Sequence, residues 1–255
     1  MNILSEYISY FLKAKGRHGT HSPFVYQFVS ECLKTNMDNN FVLERKKLFN
    51  SLKKDKKTIE ITDFGVGSKR LGNIRSLKSI FKTNTSRGKY GTLLYKITKF
   101  YKPKSILELG TSLGVGSFHF SKANSDSQII TLDGCSEIYK VAVQNLNIRE
   151  CVNVTCVNST FIEYLKANTN QKYDLIFIDG HHDGEALLIY LELLKQNSHN
   201  DTIFILDDIR WSDSMLAAWN KIIQSKDYNL TMDLFRMGII IPRKQQEKEH
   251  FIIRF

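Results

Sequence analysis

The sequence predicts an α/β fold: a doubly wound, mostly parallel sheet of seven strands with an antiparallel C-terminal hairpin, preceded by a helical extension. Three observations predict it. After Pro103, five short apolar runs alternate with five helical periodicities, the signature of serial βα units with right-handed crossovers. The tail carries three strand-like runs with no helix between them. Charge also changes along the chain: residues 1–104 hold 22 Lys+Arg against 7 Asp+Glu, and residues 105–255 hold 14 against 19.

The elements follow in order. Ile3, Leu4, Tyr7, Ile8, Phe11 and Leu12 form an amphipathic stripe and predict a helix over 3–12. The polar stretch GRHGTHSP (16–23) breaks it. Ser22 before Pro23 reads as an N-cap with proline at the first helical position, opening a helix to about residue 33. A third helix covers 41–52. The basic run RKKLFNSLKKDKK (45–57) keeps Leu48, Phe49 and Leu52 at helical spacing, which favours a solvated helix face over a nucleic-acid contact. No RNP, zinc-finger or KH signature accompanies it. TIEIT (58–62) alternates like a strand and runs into DFGVGS, and helical patterns follow over 71–81 and 91–100.

Strands are expected at 105–109, 128–132, 153–157, 173–178 and 202–206. Helices are expected near 116–124, 136–148, 160–168, 184–196 and 213–225. Strand-like runs at 229–235, 237–242 and 250–255 complete the sheet edge. With 255 residues, 42% hydrophobic and 24% charged, the chain has enough apolar content for a buried core and is not a disordered chain. No apolar run reaches the length of a membrane span, and the start lacks the pattern of a secretory signal. Cys32, Cys135, Cys151 and Cys156 show no metal-site spacing, so reduced thiols and a cytoplasmic location are expected.

Two glycine loops compete as a ligand cradle: ITDFGVGS (61–68) and ILELGTSLGVGS (106–117). A nucleoside-binding βαβ unit needs a helix after its loop, then a second strand ending in an acid that grips ribose hydroxyls. Only the second loop has both, with Asp133 lying 17 residues past Gly116. Gly110, Gly114 and Gly116 are therefore the ligand glycines, and Gly65 and Gly67 read as turn glycines. Glu108 ends the first strand of the unit. A carboxylate there repels a pyrophosphate and suits a ligand with a cationic amino group, which points to S-adenosylmethionine over NAD.

These residues carry a resemblance. Residues 91 to about 242 resemble a class I S-adenosylmethionine-dependent methyltransferase with its Rossmann-like sheet, closest to the catechol and caffeoyl-CoA type O-methyltransferases. The matching segments are GTLL (91–94), ILELGTSLGVGS, ITLDG with Asp133, CVNST (156–160), YDLIFIDGHH (173–182) and ILDDIRW (205–211). The resemblance implies a basic, mainly helical extension over 1–90 on the substrate side and a cofactor-binding methyltransferase domain over 91–255. It implies cofactor contacts from Glu108, Gly110, Thr111, Gly114, Gly116, Ser117, Asp133 and Asp179, with Asn158 and Ser159 near adenine. It also implies a divalent metal such as Mg²⁺ where Asp179, Asp207 and Asp208 fall. Three carboxylates are acceptable ligands for a hard cation, although the family usually has asparagine in place of Asp208. The alternative is that Asp208 caps the segment after it. His182, three residues past Asp179, stands where the family carries its lysine base and is a competent general base near neutral pH. His181 is the alternative base or ligand, and either histidine could instead cap a helix from Asp183.

Other residues carry weaker signals. Trp211 could wall a flat substrate, whereas Trp219 reads as core. His18 and His21 form either an exposed turn or a lid. Arg70, Arg75, Lys78 and Lys89 are candidates for gripping an anionic substrate, and Cys135 reads as packing beside the cofactor. The leading expectation is O-methylation of a small-molecule hydroxyl by a cytoplasmic enzyme, with a homodimer as a candidate assembly. The rivals are an RNA (tRNA) methyltransferase docking through its basic front half, and a non-catalytic cofactor-binding assembly protein.

Overall fold

The computed structural model describes residues 2–16, 21–62, 74–83 and 87–255. In chain order the helices are α1 (Ile3–Lys13), α2 (Pro23–Ser30), α3 (Asn39–Lys54), α4 (Leu77–Thr83), α5 (Gly88–Tyr101), α6 (Val115–Ala123), α7 (Ser136–Ile148), α8 (Phe161–Ala167), α9 (Gly184–Leu194) and α10 (Asp213–Gln224). The strands are β1 (Thr58–Glu60), β2 (Ile74–Ser76), β3 (Ser105–Leu109), β4 (Gln128–Asp133), β5 (Val154–Asn158), β6 (Leu175–Ile178), β7 (Ile203–Leu206), β8 (Leu230–Leu234), β9 (Met237–Ile241) and β10 (Glu249–Ile252). The main sheet has eight strands, mostly parallel, with β1 and β2 forming a separate antiparallel pair. The chain divides into two compact units, Thr35–Tyr164 and Met1–Lys34 with Leu165–Phe255.

In the first unit, β3, β4 and β5 pair in parallel. Ile106, Leu107, Leu109, Ile129 and Leu132 are buried, which is why these strands read as apolar runs rather than alternating ones. Phe41, Leu48 and Leu52 of α3 join Phe81, Tyr95, Phe118, Val141 and Leu146 in one core, where Phe41 stacks on Tyr95 with ring centroids 3.8 Å apart. Lys46, Lys47, Lys53 and Lys54 of α3 are exposed, so the basic run is the solvated back of a packed helix. The helix expected over 71–81 begins only at Leu77, because Ile74–Ser76 pairs with β1. Residues 71–73 lie outside the described residues.

In the second unit the strand order is β10-β8-β9-β7-β6. β6 and β7 are parallel, β9 is antiparallel to both β7 and β8, and β10 runs parallel to β8. The expected hairpin is β8–β9. The count of seven is corrected to eight, because β10 satisfies the backbone edge that β8 would otherwise expose. α9 lies close against α10, and a Cβ at Gly184 would fall 2.1 Å from the Ser214 carbonyl oxygen. Trp219 of α10 is buried and donates from Nε1 to Asp233, which also takes a two-pronged pair from Arg210 at 2.9 and 2.7 Å. Asn2 caps α1, accepting from the Leu4 and Ser5 N–H groups. Only Tyr10 of that helix is buried, so its predicted apolar stripe stays exposed, Leu12 at 78%. Among the described residues no helix is long and apolar enough to cross a membrane.

Candidate functional site

The glycine loop of the first unit leaves β3 and enters α6. Gly110 and Thr111 both donate backbone N–H to the Leu132 carbonyl at 3.0 Å, which ties the loop to the end of β4. Gly110, Ser112 and Gly114 take left-handed φ values of 111°, 48° and 78°. Gly114 is the N-cap of α6, and a Cβ there would sit 3.1 Å from Leu146 in addition to its backbone strain. Gly116 and Ser117 lie in the first turn of α6, which begins at Val115, one residue before the helix start expected at 116.

Glu108 is buried behind this loop. Its Oε2 accepts from the Ser117 hydroxyl and, at 2.7 Å, from Thr131, whose hydroxyl also meets that of Thr111 at 2.7 Å. Register explains the set, since Glu108 sits opposite Thr131 across β3 and β4. Burial pushes the Glu108 carboxyl up to about 7, although both hydroxyls oppose the shift. An ammonium bound beside this carboxyl would favour its ionised form and offset part of that cost.

Asp133 ends β4 opposite Asn158 of β5. Its Oδ2 accepts from the Ser112 N–H and its Oδ1 from the Cys135 N–H, each at 3.0 Å. A carboxylate has about four acceptor positions, so both oxygens can still take hydroxyl donors, as a ribose diol requires. Burial raises this carboxyl to about 6. Asn158 donates to the Asp133 and Gly134 carbonyls at 2.7 and 3.2 Å, and the Ser159 N–H reaches the Asp133 carbonyl. Glu108, Gly110, Thr111, Gly114, Gly116, Ser117, Asp133, Asn158 and Ser159 thus gather at the carboxyl ends of three parallel strands, where open α/β sheets bind nucleosides. The donor set fits S-adenosylmethionine. Cys135 is buried against the Glu60 carbonyl, at 3.9 Å, as a packing residue.

In the second unit, Asp179 follows β6 while Asp207 and Asp208 follow β7. His182 places Nε2 3.9 Å from Asp179 Oδ1 and 3.8 Å from Asp208 Oδ2, and its ring centroid is 5.9 Å from that of the exposed Trp211. His181, His182 and Asp208 take left-handed φ values of 67°, 33° and 52°, a strain that clusters at functional sites. The capping alternative for the histidines falls away, since Asp183 caps α9 through the Ala186 N–H at 3.0 Å. His181 stacks on Tyr190 and hydrogen-bonds its hydroxyl, whereas His182 faces Asp179 and Asp208.

The residue that the sequence did not single out is Arg236, in the β8–β9 turn. Its Nε and Nη2 reach Asp207 Oδ1 and Oδ2 at 3.1 and 2.9 Å, and Nε lies 2.8 Å from Asp208 Oδ1. Asp207 Oδ1 also accepts the Asp208 N–H at 2.9 Å. The Asp208 side chain therefore meets a guanidinium rather than capping the next segment. Both oxygens of Asp207 and one of Asp208 already serve a positive group, so a divalent cation could take these carboxylates as ligands only by displacing the guanidinium. Among the described residues, no group of three or more His, Cys, Asp or Glu side chains is arranged to hold a metal ion. Burial, then the neighbouring Asp207 charge, raises Asp208 to about 7. Burial and then Asp207 and Asp208 raise Asp179 well above the usual carboxylate range. Burial works against the Arg236 charge, but the carboxylates outweigh it and raise its pKa.

His18, Gly65, Gly67 and Arg70 lie outside the described residues. His21, Lys78 and Lys89 are exposed, whereas Arg75 is buried.

Residues 107–209 match the protein family described as a methyltransferase domain. No curated protein matches the chain. Among solved structures, the SAH-bound methyltransferase PaMTH1 of Podospora anserina superposes with a TM-score of 0.59 at 14% identity, over 87% of this chain and 96% of that one. The O-methyltransferase of Bacillus cereus in complex with SAH gives 0.58 at 16% identity, over 86% and 97%. The O-methyltransferase TomG of Streptomyces achromogenes, in complex with SAM, gives 0.57 at 12% identity, over 86% and 94%. These likenesses establish the shared fold. Residues 107–209, which span the glycine loop and the strand-end acids, are thus similar to a methyltransferase domain, and the chain has the fold shared with these O-methyltransferases.

Proposed function

We propose that the protein methylates a hydroxyl oxygen on a small, flat acceptor. The observation that carries this reading is His182, set beside Asp179 and Asp208 with the exposed Trp211 ring at its side. S-adenosylmethionine supplies an electrophilic methyl group on a sulfonium centre. Gly110, Thr111, Gly114 and Gly116 shape its cradle, Glu108 and Ser117 serve its amino-acid end, Asp133 its ribose, and Asn158 and Ser159 its base.

His182 does the proton work. Nε2 accepts the proton of the acceptor hydroxyl as an oxygen lone pair forms the new O–C bond. The electrons of the broken C–S bond stay on sulfur, and the imidazolium that forms is stabilised by Asp179 and Asp208. Trp211 offers an apolar face on which a planar acceptor can stack.

The test separates cradle from base. Asp133→Ala should weaken SAH binding in calorimetry by about tenfold or more, the scale of a lost hydrogen bond to a charged group. His182→Ala should leave that affinity intact and lower kcat on a catechol-type acceptor by about 10²–10⁴. Unaltered SAH affinity in the first variant, or unaltered kcat in the second, would reject the corresponding role.

A further inference from the structure

The acids after β6 and β7 present a charge problem that the cofactor reading leaves unsolved. Asp179, Asp207 and Asp208 stand together, and the Asp207 side chain is buried. A buried carboxylate needs a partner of opposite charge. Arg236 is that partner, and its fork engages Asp207 on both oxygens while its Nε also faces Asp208. This two-pronged geometry is specific to guanidinium and is not reproduced by a point charge.

The backbone builds the arrangement. Leu206 pairs with Gly238 across β7 and β9, and continuing that antiparallel register carries residue 208 opposite residue 236. The Ile209 N–H then donates to the Arg236 carbonyl at 3.0 Å, fixing the turn. Asp208 consequently presents Oδ1 to Arg236 at 2.8 Å and Oδ2 toward His182 at 3.8 Å. An amide at 208 could meet Arg236 and a neutral imidazole, but it carries no charge with which to stabilise an imidazolium.

We propose that the Arg236 guanidinium is the resident cation of this carboxylate cluster, standing in the place a divalent metal would take, so that the enzyme works without one. The inference rests on the reading of the site as a methyltransferase centre. Oxygen ligands for Mg²⁺ or Mn²⁺ must direct lone pairs at the ion from about 2.0–2.2 Å. Here both oxygens of Asp207 and Oδ1 of Asp208 already face N–H groups of a fixed positive charge. Arg236 is a positioning residue in this scheme: it holds Asp208 so that its second oxygen faces the imidazole.

The experiment is a Mn²⁺ titration followed by the EPR signal of the free ion, run on wild type, Arg236→Met, and Arg236→Met combined with Asp207→Asn. SAH calorimetry is run in parallel with EDTA or MgCl₂. Wild type should leave the Mn²⁺ signal unreduced at concentrations near 100 µM, and its SAH affinity should change less than about twofold with either additive. Arg236→Met should gain about one Mn²⁺ site, which the double variant loses. Wild-type uptake of one equivalent below about 100 µM, abolished by Asp207→Asn, would overturn the proposal. So would a folded Arg236→Met that gains no site. If Arg236→Met fails to fold, the wild-type arm and Arg236→Gln decide: metal uptake by wild type refutes, and none by wild type with uptake by the glutamine variant supports. Absence of SAH binding would defeat the cofactor reading instead, and the Mn²⁺ result would still report on the cluster.

Discussion

Cofactor affinity should fall in mild acid, and Glu108 sets the size of the effect. The carboxyl titrates near 7 because it is buried against β4 and α6. Relative to its ordinary value near 4.5, that places about 3 kcal/mol on ionising it inside the ligand-free protein. The folded state therefore holds this proton more tightly than the unfolded chain. The associated stability is fully present below about pH 4.5 and is lost as the pH rises through about 7. A bound ammonium reverses the preference, since it favours the carboxylate. If only the ionised form binds, the apparent Kd scales as one plus the ratio of protonated to ionised carboxyl. That ratio makes binding about 25-fold weaker at pH 5.5 than at pH 7.5. The window stays below the range in which an α-amino group loses its own proton, about 7.7–8.0. SAH calorimetry in buffers of different ionisation enthalpy measures both the slope and the proton released on binding. Glu108→Gln should flatten the curve above pH 6 and leave only the contribution of Asp133, which titrates near 6. A wild-type curve that is level across the window, or a Gln variant with the wild-type slope, would show that residue 108 does not face the amino group.

Three other outcomes follow from the packing and the charge. Gly184→Ala should destabilise the protein by about 1–3 kcal/mol, because the new methyl would meet the Ser214 carbonyl at 2.1 Å and two helices would have to part; thermal melting checks it. Asp233→Ala should cost about 3–5 kcal/mol, or roughly 10 °C in Tm, by stranding the largely buried Arg210 without its carboxylate and removing the Trp219 acceptor. Filter binding of a tRNA should be weak at physiological salt if the acceptor is a small molecule. Tight binding that falls steeply between about 50 and 200 mM salt would move the acceptor to RNA.

The parallel core of this protein was legible because its strands are buried on both faces. LIFI and IFIL are unbroken apolar runs, ILEL is interrupted only by Glu108, and each is followed by a helical period that begins at a recognisable cap or glycine. The cradle was legible for a related reason. Its acids fall directly at strand ends, so strand periodicity alone places Glu108 inside and Asp133 at the rim. Long-range pairing hid the rest. The run at 250–255 reads as a strand, but its parallel pairing with β8 depends on a distant partner, and the exposure of Leu4, Ile8 and Leu12 depends on what α1 packs against; local periodicity reports neither.

Arg236 is the sharpest case. Its sequence neighbours, Phe235 and Met237, mark only a hairpin turn, and the acid it neutralises lies 29 residues earlier. A purely local reading therefore finds three acids at two strand ends and supplies the missing charge from outside as a metal. One clue was nonetheless available in the sequence. A third carboxylate at position 208 raises the negative charge of the cluster, and a buried cluster with added negative charge calls for an added positive group. The antiparallel hairpin after the last βα unit is the element that turns back along β7, so a cation at its turn is the natural candidate. Charge balance at strand ends, taken together with the register of the closing hairpin, points to residue 236 as the partner of the cluster.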